Sequence, residues 1–418
     1  MIFEIGKKIS GPTFLNYVLW VIQNARKRNI KVLYFLARDG FLLYKIAQII
    51  CQKCCVDIEC RYLYCSRYSL RLPTYHFIGE EAYDLIFANS NKVSLNILFG
   101  RFGLTESEIE DIKKSAHIEI DSNQDLTLAE IKDLRTNLSE NAVFKEALYK
   151  KSQAAYSEII SYFEQENLFE HEHIGIVDSG WTGSMQRSFR QILEHEGHRC
   201  KTTGFYFGLF FTPNDKKDGE YLGWYFDSNK GFWRKVLFCN NVIECLLSAP
   251  HEMTVGYRND GGIFVPIQKE YRDKENFYEV VNKHIAGCLQ YVEENIKNKS
   301  LEEFDNDKAI TSTYMLLRRF LVFPNVKEVS AFDNYMFCDD TSENYYMSLS
   351  GKNSVNLLSG YLMLPRMFRK LFNIKADKKV VGLFWPYGTA AYLPMISRFW
   401  YRVNIICWES LRYFFLKR

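Results

Sequence analysis

The sequence predicts an α/β protein: a Rossmann-like sheet with phosphate-type loops at its strand ends, a helical insertion, and a helical C-terminal region rich in basic and aromatic residues. Three observations carry that prediction. Short apolar runs alternate with segments of helical period in residues 14–66 and again in 171–212. Two of those runs stop at a polar, glycine-bearing turn, the strand end at which open α/β sheets collect ligand groups. Between them, residues 104–170 are polar and acidic and carry helix-starting signals. At 418 residues the chain exceeds one ordinary core. It divides into an α/β core (1–103 and 171–270), the insertion (104–170) as a lid or acceptor-side unit, and the C-terminal region (271–418).

In chain order, Phe14–Arg26 has helical periodicity, Lys31–Ala37 is a strand, Arg38-Asp39-Gly40 a turn, Phe41–Cys51 a helix and Ile58–Ser66 a second strand. Thr105 with Glu108, and Thr127 with Glu130, have the spacing of capping boxes, in which hydroxyl and carboxylate satisfy each other's backbone N–H at a helix start. Ile174–Val177 is a buried strand with Asp178 at its carboxyl end. Gly180 and Gly183 break the chain there, and Met185–Glu194 is a helix. Lys201–Thr212, Tyr221–Phe226 and Phe232–Phe238 read as further strands. Asn259-Asp260-Gly261-Gly262 between apolar flanks is a hairpin turn. Phe277–Lys297 and Ser312–Val322 are helices, and Pro324 marks a boundary.

Composition narrows the class. An apolar fraction of 47% with 25% charged residues is that of a globular protein, and a net charge of +3 gives no sign of a nucleic-acid partner. The aromatic share of 16% suits carbohydrate handling, a membrane-facing surface or a large core. Met1-Ile2-Phe3-Glu4 lacks the basic and long apolar parts of a signal peptide, and no run of about 18 uncharged apolar residues occurs, so a cytoplasmic location is expected. Cys51, Cys54, Cys55 and Cys60 cluster, but a structural zinc site joins two separated ligand pairs and the second pair is missing. They read as core thiols.

Three places carry chemistry. The Asp178–Ser184 segment joins an apolar strand to a helix N-terminus, where turn amides and the helix dipole favour phosphate. The amides of Gly180 to Ser184 and the hydroxyls of Thr182 and Ser184 suit such an anion, and Asp178 suits sugar hydroxyls or a metal. Without Gly-Lys-Ser/Thr this is not a Walker A loop. Arg38 and Arg67, each at a strand end, have the fork that grips phosphate oxygens bidentately, or else pair with nearby acids. Glu244 stands inside the apolar run Val242–Leu247, where an unpaired carboxylate is costly; it faces a cation, a substrate hydroxyl or a structural arginine. Finally, residues 361–418 hold eleven Lys or Arg against two acids, with Trp385, Trp400, Trp408 and eight Phe or Tyr among them from Phe384 onward. That mixture suits the anionic inner leaflet, and a packed helical core with a basic exterior is the other reading.

Val177-Asp178-Ser179-Gly180-Trp181-Thr182-Gly183 resembles the ribose-phosphate loop of phosphoribosyltransferases, with Val177 where the usual first acid stands. Together with Tyr34-Phe35-Leu36-Ala37-Arg38-Asp39-Gly40, with Tyr64-Cys65-Ser66-Arg67-Tyr68-Ser69-Leu70-Arg71 and with Glu244–Pro250, it resembles the glycan phosphoribosyltransferase domain of bacterial polysaccharide (O-antigen and capsule) ribofuranosyltransferases. Members are often catalogued as predicted hydrolases of the haloacid-dehalogenase type. The resemblance implies a glycosyltransferase that takes 5-phosphoribose from phosphoribosyl pyrophosphate (PRPP), with Mg²⁺, and inverts it onto a growing, lipid-linked glycan as a β-ribofuranoside. It implies catalytic roles for Asp39, Asp178 and Glu244, and donor binding by Arg38, Gly40, Ser66, Arg67, Ser179, Gly180, Trp181, Thr182, Gly183 and Ser184. Mg²⁺ would come with the donor pyrophosphate, Asp39 being the candidate protein ligand. The family's phosphatase needs Asp-x-Asp at a strand end; residue 41 is Phe, so a separate phosphatase must remove the 5-phosphate. The expected place is the inner face of the cytoplasmic membrane, peripherally held. A sugar-phosphate phosphatase with Asp39 as nucleophile and a non-catalytic docking protein are the alternatives. Only catalysis requires Arg38, Asp39, Arg67 and Asp178 to meet in one cleft.

Overall fold

The computed structural model of the chain describes residues 1–211, 219–270, 274–332, 335–338, 340–343, 346–362 and 383–415. Its centre is a five-stranded, wholly parallel sheet of β1 (Val32–Leu36), β2 (Glu59–Leu63), β3 (His173–Trp181), β4 (Lys201–Leu209) and β5 (Glu220–Phe226). Their order is β2-β1-β3-β4-β5, so the winding reverses between β1 and β3. At such a switch point the loops leave the sheet in opposite directions and open a crevice at the strands' carboxyl ends. The architecture is Rossmann-like α/β, as the alternating pattern predicts.

Helices α1 (Gly11–Lys27), α2 (Asp39–Lys53), α3 (Arg67–Arg71), α4 (Ala142–Gln165), α5 (Ser184–His195), α6 (Asn240–Leu246), α7 (Lys274–Asn295), α8 (Asn306–Val322) and α9 (Met395–Phe415) are among those that surround the sheet. Strand alternation sorts the faces. Val32, Tyr34, Leu36, Ile174 and Ile176 meet Ile159, Tyr162 and Phe163 of α4 and Phe189 and Ile192 of α5. Leu33, Phe35, Val177, Phe205 and Phe207 meet α1, α2, α7 and α8 on the other side. All five residues of β1 are buried, as a central parallel strand covered on both faces requires. Fully burying each such side chain stabilises by about 1.5–3 kcal/mol. Gly40 belongs to this packing: a Cβ there would lie 2.8 Å from the carbonyl carbon of Phe35, so α2 starts tight against β1 and fixes Asp39.

The chain between β2 and β3 builds a second apolar core from Leu72, Ile86, Leu98, Phe99, Phe102, Ile112, Leu138, Phe144 and Leu148, among others. It begins well before residue 104, because the apolar residues of the Glu80–Ile86 and Leu95–Gly100 helices pack around Phe144. Both capping boxes form, Thr105 with Glu108 and Thr127 with Glu130. Helix α4 joins the two cores, its first half in this one and its second half on the sheet.

One expected strand changes and the expected hairpin holds. Phe232–Val236 is helix, launched by Gly231 in the left-handed region (φ 79°), because a turn there lets Phe232 and Val236 lie one helical turn apart. The hairpin forms as β6 (Thr254–Asp260) and β7 (Ile263–Gln268), with Gly261 and Gly262 both at positive φ. No packing break separates residues after 271, since α7, α8 and Trp385 belong to the same core as α1 and α2. Trp385 is fully buried and donates its Nε1–H to the Leu321 carbonyl at 2.9 Å, so that aromatic residue is interior, not surface. The basic segment 363–382 and Lys417 and Arg418 lie outside the described residues.

Candidate active site at the switch point

Strand β3 runs through Trp181, pairing Gly180 with Gly208 and Trp181 with Leu209 of β4. Most of the expected phosphate loop is therefore strand, and the open turn shrinks to Thr182 and Gly183 before α5 begins at Ser184. Paired β-branched and aromatic residues of β4 hold the strand on. The amides of Ser179 and Gly180 serve the Asp178 carboxylate and lower its pKa. Gly183 (φ 65°) sits under the Tyr221 ring, which a Cβ there would approach to 2.6 Å. Gly40 and Gly183, both expected to bind the donor, do not line the cleft.

The other eleven expected residues, Asp39, Asp178, Glu244, Arg38, Ser66, Arg67, Ser179, Gly180, Trp181, Thr182 and Ser184, line one open cleft with a cavity volume of about 220 Å³. A second, smaller chamber of about 90 Å³ shares Arg38, Asp39, Arg67 and Glu244 with it and continues past His251, Phe277, Tyr335, Phe337 and Tyr346. No residue of 104–170 lines either space, so the insertion is not their wall.

Three acids meet at the boundary of the two chambers. Ser179 donates its hydroxyl to Asp39, and Trp181 donates Nε1–H to Glu244 at 2.5 Å. Burial and the neighbouring Asp39 charge push Asp178 up to about 8 and Glu244 up to about 7; burial also raises Asp39. Near neutral pH the three cannot all ionise, so the cluster keeps a proton or takes up positive charge.

The arginines differ. Arg38 closes β1 at φ 69°, a left-handed conformation that costs a bulky residue about 1–3 kcal/mol. Its N–H donates to the Tyr62 hydroxyl at 2.8 Å, and that hydroxyl donates to His251 Nε2 at 2.5 Å, since His251 Nδ1–H is given to the Glu252 carbonyl. The Arg38 guanidinium is held by Glu343 at 2.5 Å, the structural pairing rather than a free pyrophosphate fork. Arg67 has no ion pair among the described residues and faces both chambers. Among the described residues Arg71, one helical turn on, is gripped by hydroxyls, Ser184 Oγ at 3.2 Å and Thr341 Oγ1 at 3.2 Å. Desolvation lowers its pKa to about 10, opposed by Tyr75 and the more distant Asp340 and helped by repulsion from Arg67 and Arg101. A desolvated guanidinium with no carboxylate in direct contact is what an anionic ligand would complete. Sequence reasoning passed over Arg71, although its i, i+4 spacing from Arg67 puts both on one helix face.

Two other expected residues are tied into the fold. Ser66 caps α3, accepting from the Ser69 N–H at 3.0 Å and donating to the Thr254 carbonyl at 2.7 Å. The Trp181 ring packs on Phe238 and Phe210, with centroids 5.2 and 6.1 Å away, while its N–H steadies Glu244. Among the described residues no group of three His, Cys, Asp or Glu is close enough to hold a metal alone. The Cys51 and Cys60 sulfurs lie 3.9 Å apart as free thiols. No protein-family model matches the chain, and no curated protein matches it.

Proposed function

We propose that the protein is a glycosyltransferase that moves 5-phosphoribose from PRPP to a hydroxyl of a bacterial surface glycan and releases pyrophosphate. The observation that carries this reading is the single cleft at the switch point in which Arg67 and Arg71 face Asp39, Asp178 and Glu244. PRPP is anionic at both ends and carries hydroxyls between them, so it needs cations at two ends of an acid-bearing centre. Arg71, Ser184 and the N-terminus of the twelve-residue helix α5 suit one phosphate end, and Arg67 the other. Asp178 suits the ribose hydroxyls. The acceptor oxygen attacks C1, the bond from C1 to pyrophosphate breaks, and the acceptor proton passes to a carboxylate. Glu244, held up near 7 and steadied by Trp181, is matched to that task at neutral pH. The second chamber, with Phe277, Tyr335 and Tyr346, is the acceptor side.

The acids fit Mg²⁺ only in part: with no three-ligand group, the ion would be held mainly by pyrophosphate oxygens, with Asp39 as protein ligand, and would neutralise the leaving group's charge. A phosphatase reading is disfavoured because Phe41, where a second acid would stand, lies edge-on to Tyr62 and His251. The 5-phosphate is then left to a separate phosphatase.

The test is pyrophosphate release from PRPP and Mg²⁺ on adding a lipid-linked or synthetic glycan. Acceptor-dependent release is expected. Phosphate release from ribose 5-phosphate would mark a phosphatase instead, and neither activity would leave the docking alternative.

A further inference from the structure

Helix α9 is amphipathic in an unusual sense: its apolar face points to solvent. Met395, Ile396, Phe399 and Trp400 are 54–82% exposed, and Cys407 and Leu411 continue the exposure. Helical geometry gathers these positions within about half the circumference. The opposite face is anchored, with Asn404 and Ile405 buried, and near the helix end the Tyr413 ring stacks on Phe210 at 5.4 Å. Exposed Phe323 at the end of α8 extends the patch, under the Arg402 guanidinium at 5.0 Å. A contiguous apolar surface of this kind, rimmed by arginine, is a contact surface.

Charge selects the occupant. From Met395 to Arg418 the sequence has five bases (Arg398, Arg402, Arg412, Lys417 and Arg418) and one acid, Glu409, which is partly buried. Two copies meeting through this face would bring like charges together, whereas anionic headgroups would neutralise them. No described helix is long and apolar enough to cross a membrane. We propose that α9 lies in the plane of an anionic bilayer, its Met395–Leu411 face below the headgroups and its arginines among lipid phosphates. The inference stands apart from the reaction proposed above. If both hold, the ring contacts Tyr413–Phe210–Trp181 join the membrane-bound helix to Glu244 and so bring a lipid-linked acceptor near the cleft.

The experiment is co-flotation of the full chain with phosphatidylcholine vesicles, with and without phosphatidylglycerol. Wild type should bind the anionic vesicles at least about tenfold better than the neutral ones, and high salt should remove most of that difference. Ile396→Ser, Phe399→Ser and Trp400→Ser together should abolish binding without lowering the melting temperature, because all three side chains are exposed. Arg412→Gln, Lys417→Gln and Arg418→Gln should remove the salt-sensitive part. The proposal is overturned if wild type ignores anionic vesicles, if the serine triple variant binds as well as wild type, or if wild type is a dimer that the triple variant makes monomeric.

Discussion

The insertion's core and the switch-point cleft bury comparable groups of side chains to opposite ends. Around Phe144 the insertion packs ring on ring, with Phe102, Phe99 and Phe87 centroids at 5.4, 6.1 and 6.3 Å. The charge it buries, Arg101, is fully paired, with Asp340 and the Ile86 and Ala88 carbonyls, and the rest stays outside in capping boxes and surface pairs such as Arg135 with Asp84. The cleft instead gathers three acids whose pKa values burial raises, and among the described residues it gives Arg71 no carboxylate in direct contact. One region lowers the energy of the fold. The other holds acids whose charged forms the fold itself disfavours, as the proposed ligand site would require. Comparison of the two separates scaffold from machinery without knowledge of the reaction.

Asp178→Asn should give the largest effect. Asparagine keeps an acceptor for the Ser179 and Gly180 amides, so the fold should hold while most transfer is lost with the carboxylate that positions the ribose hydroxyls. Stability should move the other way. A carboxyl whose pKa is raised in the folded state binds its proton more tightly there than in the unfolded chain, so metal-free wild type loses stability as pH rises. The window runs from about 4, the unfolded value, through about 7 and 8, where Glu244 and Asp178 titrate. Asp178→Asn should flatten that decline, measured as melting temperature against pH in chelator. A variant less stable than wild type at pH 8 would show that the acids are not strained.

Phe144→Ala should do the reverse, costing about 3–5 kcal/mol in denaturant unfolding through the cavity it leaves. Turnover per folded molecule at low temperature should stay near wild type, since the insertion lines neither chamber. Lost transfer in a fully folded sample would make the insertion part of the machinery and dissolve the contrast.

Much of the scaffold was legible because local rules produce it. Apolar runs gave β1 and β3, threonine and glutamate three apart gave the caps, and Asn-Asp-Gly-Gly gave the hairpin turn. The strand ends that bear Arg38, Asp39 and Asp178 were legible for the same reason. Partnership across the chain was not. Glu343 reaches Arg38 over 305 positions, and Thr341 reaches Arg71 over 270, from a stretch with no motif of its own. Register hid the rest: only pairing with β4 carries β3 on to Trp181, and no residue in that segment signals it. Periodicity likewise marks α9 as amphipathic while being silent on which side meets the core.

The central claim is that the Arg71 end of the cleft is built for a sugar phosphate. Its most direct test is thermal stabilisation by PRPP with Mg²⁺, set against a uridine diphosphosugar, in wild type and in Arg71→Met. PRPP at about a hundred times its dissociation constant should add about 2.7 kcal/mol to wild type, more than the nucleotide sugar at equal concentration, and the gain should largely vanish in Arg71→Met. Equal or greater stabilisation by the nucleotide sugar, or an undiminished PRPP effect in Arg71→Met, would contradict it.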